Sequence, residues 1–192
     1  MYRILTFFLL SFLVACQEDI TPKPKAQLRL SYPDATYKTK DANLPFNFDI
    51  NTFSDTLKIS KIRGDKESIA VNIEYPRLKG TIYLTYKPVN KSAENLKKYL
   101  IDAQNFTQEH TKKADDIVEQ PYINKERKVY GMFYEVGGNA ASQSQFYVTD
   151  STNHFLTGSL YFYAKPNYDS ILPAAHYLKN DIQKLMETIT WK

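Results

Sequence analysis

The chain runs to 192 residues, with 15 tyrosines, 11 phenylalanines, a single cysteine and a formal charge of +4 at pH 7. Lysines and arginines are interspersed with acidic residues rather than gathered into a stripe, which argues against a nucleic-acid partner, and a lone cysteine excludes an intrachain disulfide. The abundant aromatics point first to strands, where such side chains pack well, and second to an aromatic-rich interaction surface.

The opening segment has the form of a secretory signal. Arg3 supplies the positive start, and Ile4 to Val14 make an apolar run broken only by Thr6 and Ser11. That run is shorter than the roughly 20 apolar residues a spanning helix needs, and it stops at Leu13-Val14-Ala15-Cys16 rather than at a basic flank. Leu-Val-Ala-Cys resembles the bacterial lipobox, with a branched residue third before the cysteine and a small one directly before it. The resemblance implies cleavage ahead of Cys16, a diacylglycerol on its thiol and an acylated new amino terminus. Two or three fatty-acyl chains such as palmitate, at about 0.8 kcal/mol per buried methylene, make that anchor effectively permanent. The competing reading, a buried strand or helix with a core cysteine, fits the position of the segment poorly. Residues 1–15 are therefore expected to be a lipoprotein signal peptide, whose loss leaves about 177 residues and lowers the charge from +4 to +3 as Arg3 departs.

Residues 16–26 are expected to hold the lipidated cysteine and a tether. In Thr21-Pro22-Lys23-Pro24-Lys25 the two prolines lack donors and favour extended backbone, so this stretch joins neither a helix nor a central strand. Residues 27–192 are expected to form a single domain, a length that can bury a sizeable core.

Within that domain the dominant period is two. Ile69, Val71, Ile73 and Tyr75 alternate with Ala70, Asn72 and Glu74, and Ile82, Leu84 and Tyr86 alternate with Thr81, Tyr83 and Thr85. The intervening Pro76 to Gly80 carries turn residues and is short enough to make the two strands antiparallel neighbours. Leu28 to Tyr32, Leu44 to Ile50 and Leu57 to Ile62 read as weaker strands, their limits blurred by Pro33 and Pro45.

Two segments switch to helical spacing. Leu96, Tyr99, Leu100, Ala103, Phe106 and His110 share one stripe, with Ser92 placed as the cap and Glu94 near the favourable end of the helix dipole. Later, Ile171, Ala175, Leu178, Ile182, Leu185 and Ile189 repeat on one face, with Asp169 or Ser170 as the cap and Pro173 in the first turn. A single apolar stripe must be buried against another layer, so both helices should lie on a sheet. Between them Lys128 to Val136, Gln143 to Thr149 and His154 to Tyr163 read as strands. Gly137-Gly138-Asn139 and Asp150-Ser151-Thr152-Asn153 supply turn chemistry, and connections this short favour an antiparallel meander. The whole is an α+β domain, an antiparallel sheet packed by two amphipathic helices, and it resembles in outline the Mog1/PsbP-like sandwich.

The residues that carry chemistry are few. His110, His154 and His176 are the only histidines and none has a metal-ligand spacing to another histidine or to the cysteine, so no metal site is expected. Asp150, Ser151 and His154 include the residue types of a hydrolase triad, but five consecutive positions in a hairpin loop make poor geometry for it, and turn chemistry accounts for them better. Gly137 to Ser142 lacks the third spaced glycine and the Lys-Ser/Thr pair of a nucleotide loop. Asp115 and Asp116 are adjacent and cannot face one another across a site. Neither a catalytic residue nor a cofactor is expected.

A family likeness rests on longer stretches. Gly138-Asn139-Ala140-Ala141-Ser142, Gln145-Phe146-Tyr147, Thr149-Asp150-Ser151, His154-Phe155-Leu156, Gly158 and Leu160-Tyr161-Phe162 closely resemble the gliding motility lipoprotein GldD family. Pro166-Asn167, Asp169-Ser170, Glu187-Thr188, Trp191, the early Pro22 to Lys25 with Arg29, and Ile82 to Lys87 extend the likeness over nearly the whole mature chain. Ala26 departs from it, since the family more often has glycine there. The resemblance implies an envelope protein of Bacteroidota needed for gliding motility and the allied type IX secretion system. It also implies action alongside other gliding lipoproteins such as GldJ, and it brings no catalytic activity or cofactor.

Two functions follow as expectations. The first is a non-enzymatic accessory or assembly factor that holds protein partners, with Asn139, Ser142, Gln145, Asp150 and His154 as the candidate partner surface because the two polar loops have unusual composition. The second is an envelope hydrolase or a carbohydrate-binding lipoprotein, prompted by Ser142, Asp150, Ser151 and His154 and by the many tyrosines. Gln17 lacks the aspartate that retains some lipoproteins at the inner membrane. The expected location is therefore the outer membrane facing the periplasm, with the inner membrane as one alternative. The cell surface is the other, because Glu18-Asp19 resembles an acidic export signal.

Overall fold

The computed structural model describes residues 30–109, 114–163 and 168–192. The expected signal peptide, Cys16, the tether and His110 lie outside the described residues.

Seven strands form one antiparallel sheet in the order β3-β4-β5-β9-β8-β7-β6. They are β3 (Thr56–Ile62), β4 (Asp65–Tyr75), β5 (Gly80–Pro88), β6 (Ala114–Asn124), β7 (Val129–Gly138), β8 (Ser144–Thr149) and β9 (His154–Phe162). The alternation in β4 and β5 decides their register. Ile69 pairs with Tyr86, Val71 with Leu84 and Ile73 with Ile82, so the large apolar residues of the alternation fall on one face. Beyond β5 the pairing passes to β9, with Leu84 opposite Gly158 and Ile82 opposite Leu160, and then to β8, where Phe146 lies opposite Gly158. A β-carbon on Gly158 would sit 2.0 Å from the Phe146 ring; the bare backbone there is what lets the ring lie flat across the sheet.

Helix α1 (Ala93–Glu109) and helix α2 (Tyr168–Thr188) take opposite faces of this sheet. At the start of α1 the Asn95 backbone N–H donates to Ser92 Oγ at 3.2 Å, the expected cap. Helix α2 begins earlier than its sequence spacing suggests, at Tyr168, so Pro173 stands inside the helix rather than in its first turn. Its stripe is otherwise as expected: Ala175, Leu178, Ile182, Leu185 and Ile189 are all buried.

A second, smaller sheet departs from the expected single sheet, although its middle strand falls on the expected strand Leu44 to Ile50. β1 (Tyr37–Lys40), β2 (Phe46–Asn51) and β10 (Thr190–Trp191) make a second sheet, ordered β1-β2-β10, that closes over α2. Phe46 and Phe48 of β2 are 0% exposed, and burying each contributes roughly 1.5–3 kcal/mol. The C-terminal helix is thus packed on both sides. Leu178 meets Gly80 of the large sheet, while Asp181, on the other side, accepts from Tyr37 Oη at 2.7 Å and from Asn51 Nδ2 at 2.9 Å. Burial pushes the Asp181 carboxyl above its ordinary range, against the lowering effect of these donors. The network is the polar tie that fastens the small sheet to the helix.

Neither β1, β6 nor β10 is legible as a strand in the sequence. β6 is an edge strand that carries Pro121 and whose residues are mostly exposed, so it has no buried face to impose a period of two. The reverse holds at Leu30 to Tyr32, the described part of an expected strand, which takes no sheet pairing; Tyr32 instead packs its ring on Tyr177, centroids 5.1 Å apart.

Candidate functional site

The two polar loops sit at opposite ends of β8, six residues apart along the strand. At one end the β7–β8 loop leaves Asn139 exposed but buries Ser142, whose hydroxyl donates to the Ser144 carbonyl at 3.2 Å. Gly137 and Gly138 sit against Asp116 and Asp115: a β-carbon on Gly137 would lie 2.0 Å from Asp116 Oδ1, and Gly138 holds φ +83°. Close approach to β6 therefore accounts for the glycine pair. Gln145 is 2% exposed and points to the α1 side of the sheet, where its Oε1 accepts from Thr107 Oγ1 at 3.0 Å.

At the other end, Asp150 Oδ1 accepts from the backbone N–H groups of Thr152, Asn153 and His154 at 2.9, 2.7 and 2.8 Å. Burial raises the Asp150 pKa, but these donors outweigh it and hold the carboxyl below the usual range. The carboxylate shapes the turn. His154 is engaged separately: its Nδ1 lies 2.9 Å from Tyr86 Oη, and its ring stacks on Trp191, centroids 5.0 Å apart and planes 4° from parallel. Burial lowers the His154 pKa, partly offset by Asp150. The Trp191 indole N–H donates to the Lys128 carbonyl at 3.0 Å, and Arg127 Nη1 donates to the Glu187 carbonyl at 2.9 Å. A shallow cavity of about 380 Å³ opens there, bordered by Arg127, Lys128, Asp150 and Trp191.

The five expected surface residues are therefore not brought together. Ser142 and Gln145 are buried, Asn139 stands at one end of the sheet, and Asp150 and His154 at the other. The contribution of Trp191, Arg127 and Lys128 was not legible from the loops, because the β6–β7 hairpin and the chain end reach His154 only through the fold.

A second concavity lies under α1. It is a cavity of about 280 Å³ whose floor is a row of rings on the sheet face opposite the core. Tyr134 meets Tyr147 at 6.4 Å, Tyr147 stacks on Phe155 at 5.8 Å with planes 8° apart, and Phe155 meets Tyr99 of α1 at 5.6 Å. Lys87 Nζ caps the row, 4.9 Å from the Tyr99 centroid. The signal for this floor was present in the polar half of the strand alternation, where Tyr83 and Tyr147 stand opposite the apolar positions.

Among the described residues no group of three or more His, Cys, Asp or Glu side chains is placed to hold a metal ion, and no helix is long and apolar enough to cross a membrane. What the fold and these surfaces define is an antiparallel α+β domain with a doubly covered helix on one face and an aromatic cleft on the other. The chain belongs to the gliding motility lipoprotein GldD family, whose model matches residues 17–191. Membership makes it a lipoprotein of gliding motility, anchored to a membrane in the cell envelope. No curated protein matches the chain.

Proposed function

We propose that this protein is a non-enzymatic accessory factor of the gliding apparatus and the allied type IX secretion machinery. In this reading residues 1–15 are the signal peptide, the lipid on Cys16 and the tether over residues 16–26 hold the domain of residues 27–192 at the outer membrane facing the periplasm, and the domain works by contact with envelope proteins. Other gliding lipoproteins such as GldJ and components of the secretion system are the expected partners.

The observation that carries this reading is the His154 end of the sheet. There Trp191, stacked on His154, lies beside the exposed Arg127 and Lys128. Tryptophan and arginine around a shallow hollow are the residue types that dominate binding energy at protein contacts. Asp150, by contrast, spends its carboxylate on the turn, as its three backbone donors require.

Photo-crosslinking in living cells tests this, with the reactive side chain placed at Arg127, at Asn139, or at Lys97 on the exposed side of α1 as a control. Crosslinks from position 127 to an envelope protein, weakened when Trp191→Ala is added, are the expected result. Equal crosslinking from 127 and 97, or none from 127 while the control reacts, would remove this end of the sheet as the partner surface.

A further inference from the structure

We infer that the cleft beneath α1 is a binding site for a neutral saccharide. This is independent of the partner surface, which lies at the His154 end of the sheet.

Helix α1 covers the cleft without filling it. Of its residues only Thr107 is fully buried, and Phe106 remains 43% exposed. An amphipathic helix ordinarily gains its stability by burying its stripe, so a helix standing off a floor of rings leaves a space that has been kept open.

The chemistry of the wall selects the ligand. Stacked and tilted rings of Tyr147, Phe155 and Tyr99 offer apolar faces, and the hydroxyl-bearing Thr85 and Ser159 share the same lining. Lys87 and Asp102 contribute one charge of each sign, which favours neither an anion nor a cation. Gln145 adds an unmet demand. Its Nε2 is buried without a hydrogen-bond partner while Oε1 accepts from Thr107. Turning the amide over lets Nε2 donate to Thr107 Oγ1 and frees Thr107 to donate to the Ala103 carbonyl, 3.2 Å away, but it orphans Oε1 instead. Either way one polar atom of a side chain only 2% exposed lacks a partner, and such a group costs about 1–3 kcal/mol until one arrives.

A hydroxyl answers both arrangements, because it donates and accepts. An apolar side chain from a peptide would cover the rings and leave Gln145 unmet, and a charged ligand would leave the rings uncovered. A sugar ring presents C–H faces to aromatics and hydroxyls around its edge. A cavity of about 280 Å³ suits one such ring, with further units extending into solvent.

The test uses the full-length lipoprotein in a detergent without a sugar headgroup, titrated with glucose, galactose and N-acetylglucosamine and with their trisaccharides. Saturation-transfer NMR and calorimetry provide the readouts, and a hydrophobic tripeptide serves as comparison. Saturable binding of at least one saccharide, weakened about tenfold or more by Tyr99→Ala and by Gln145→Leu, is expected. Tyr99 lies on the helix surface, so its variant keeps the sheet intact, and a circular-dichroism melt verifies that both variants fold. No saturable binding of any saccharide to the folded wild type, binding that Tyr99→Ala leaves unchanged in a folded variant, or binding of the tripeptide alone would overturn the proposal.

Discussion

His154 shows how one side chain is committed by its neighbours. It stacks on Trp191 and meets Tyr86 through Nδ1, and burial disfavours its charged form, so its pKa falls below the ordinary 6.5. The unfolded chain then takes up this proton at a higher pH than the folded one. Stability from this group is full above about pH 6.5 and declines as pH drops toward the folded value. The thermal midpoint of the wild type should therefore fall between pH 7 and pH 5, and His154→Gln should lose part of that fall. Parallel profiles for the two proteins would mean that other groups govern the acid limb. Asp181 acts in the opposite sense: its raised pKa means that the charged form costs stability at neutral pH and that acidification relieves the cost. The difference between variant and wild type isolates the histidine.

At the scale of elements, β8 and β9 pack closely against one another. Gly158 sits opposite Phe146 and Leu84, and the ring occupies the space a β-carbon would need, 2.0 Å away. Gly158→Ala should cost about 2 kcal/mol or more, because a ring wedged between strands cannot retreat without displacing the core. Urea unfolding with unchanged slope would measure it; a loss below about 0.5 kcal/mol would show that the ring has room to move. The helices were readable because each repeats apolar residues with helical spacing over many turns, as were β4 and β5 from their alternation. β6 was not, since an exposed edge strand with Pro121 has no buried side to order its sequence, and β1 and β10 are too short to show any period.

For the whole molecule, attachment decides where everything else acts. If Cys16 carries the lipid, metabolic labelling with a fatty acid should tag the protein. Cys16→Ser should then lose the tag and leave the membrane fraction, with the folded domain unchanged by circular dichroism. Persistence of label in that variant would refute the anchor. The same domain exposes its two concavities in different directions, one beneath α1 and one beside Trp191, so a surface ligand and a protein partner need not compete. Their separation follows from the antiparallel sheet, whose two faces and two ends present independent surfaces.

The amino-acid sequence by itself determined the family, the two helical stripes and the central antiparallel strands, because each is a local pattern repeated often enough to be read without its neighbours. Only the tertiary structure decided that the five polar candidates part company. It buried Ser142 and Gln145, drew Trp191 and Arg127 to His154, and lined up Tyr134, Tyr147, Phe155 and Tyr99 beneath a helix. Such groupings depend on which strands are adjacent. Long-range pairing is set by the collective burial of the core, and no single segment carries it.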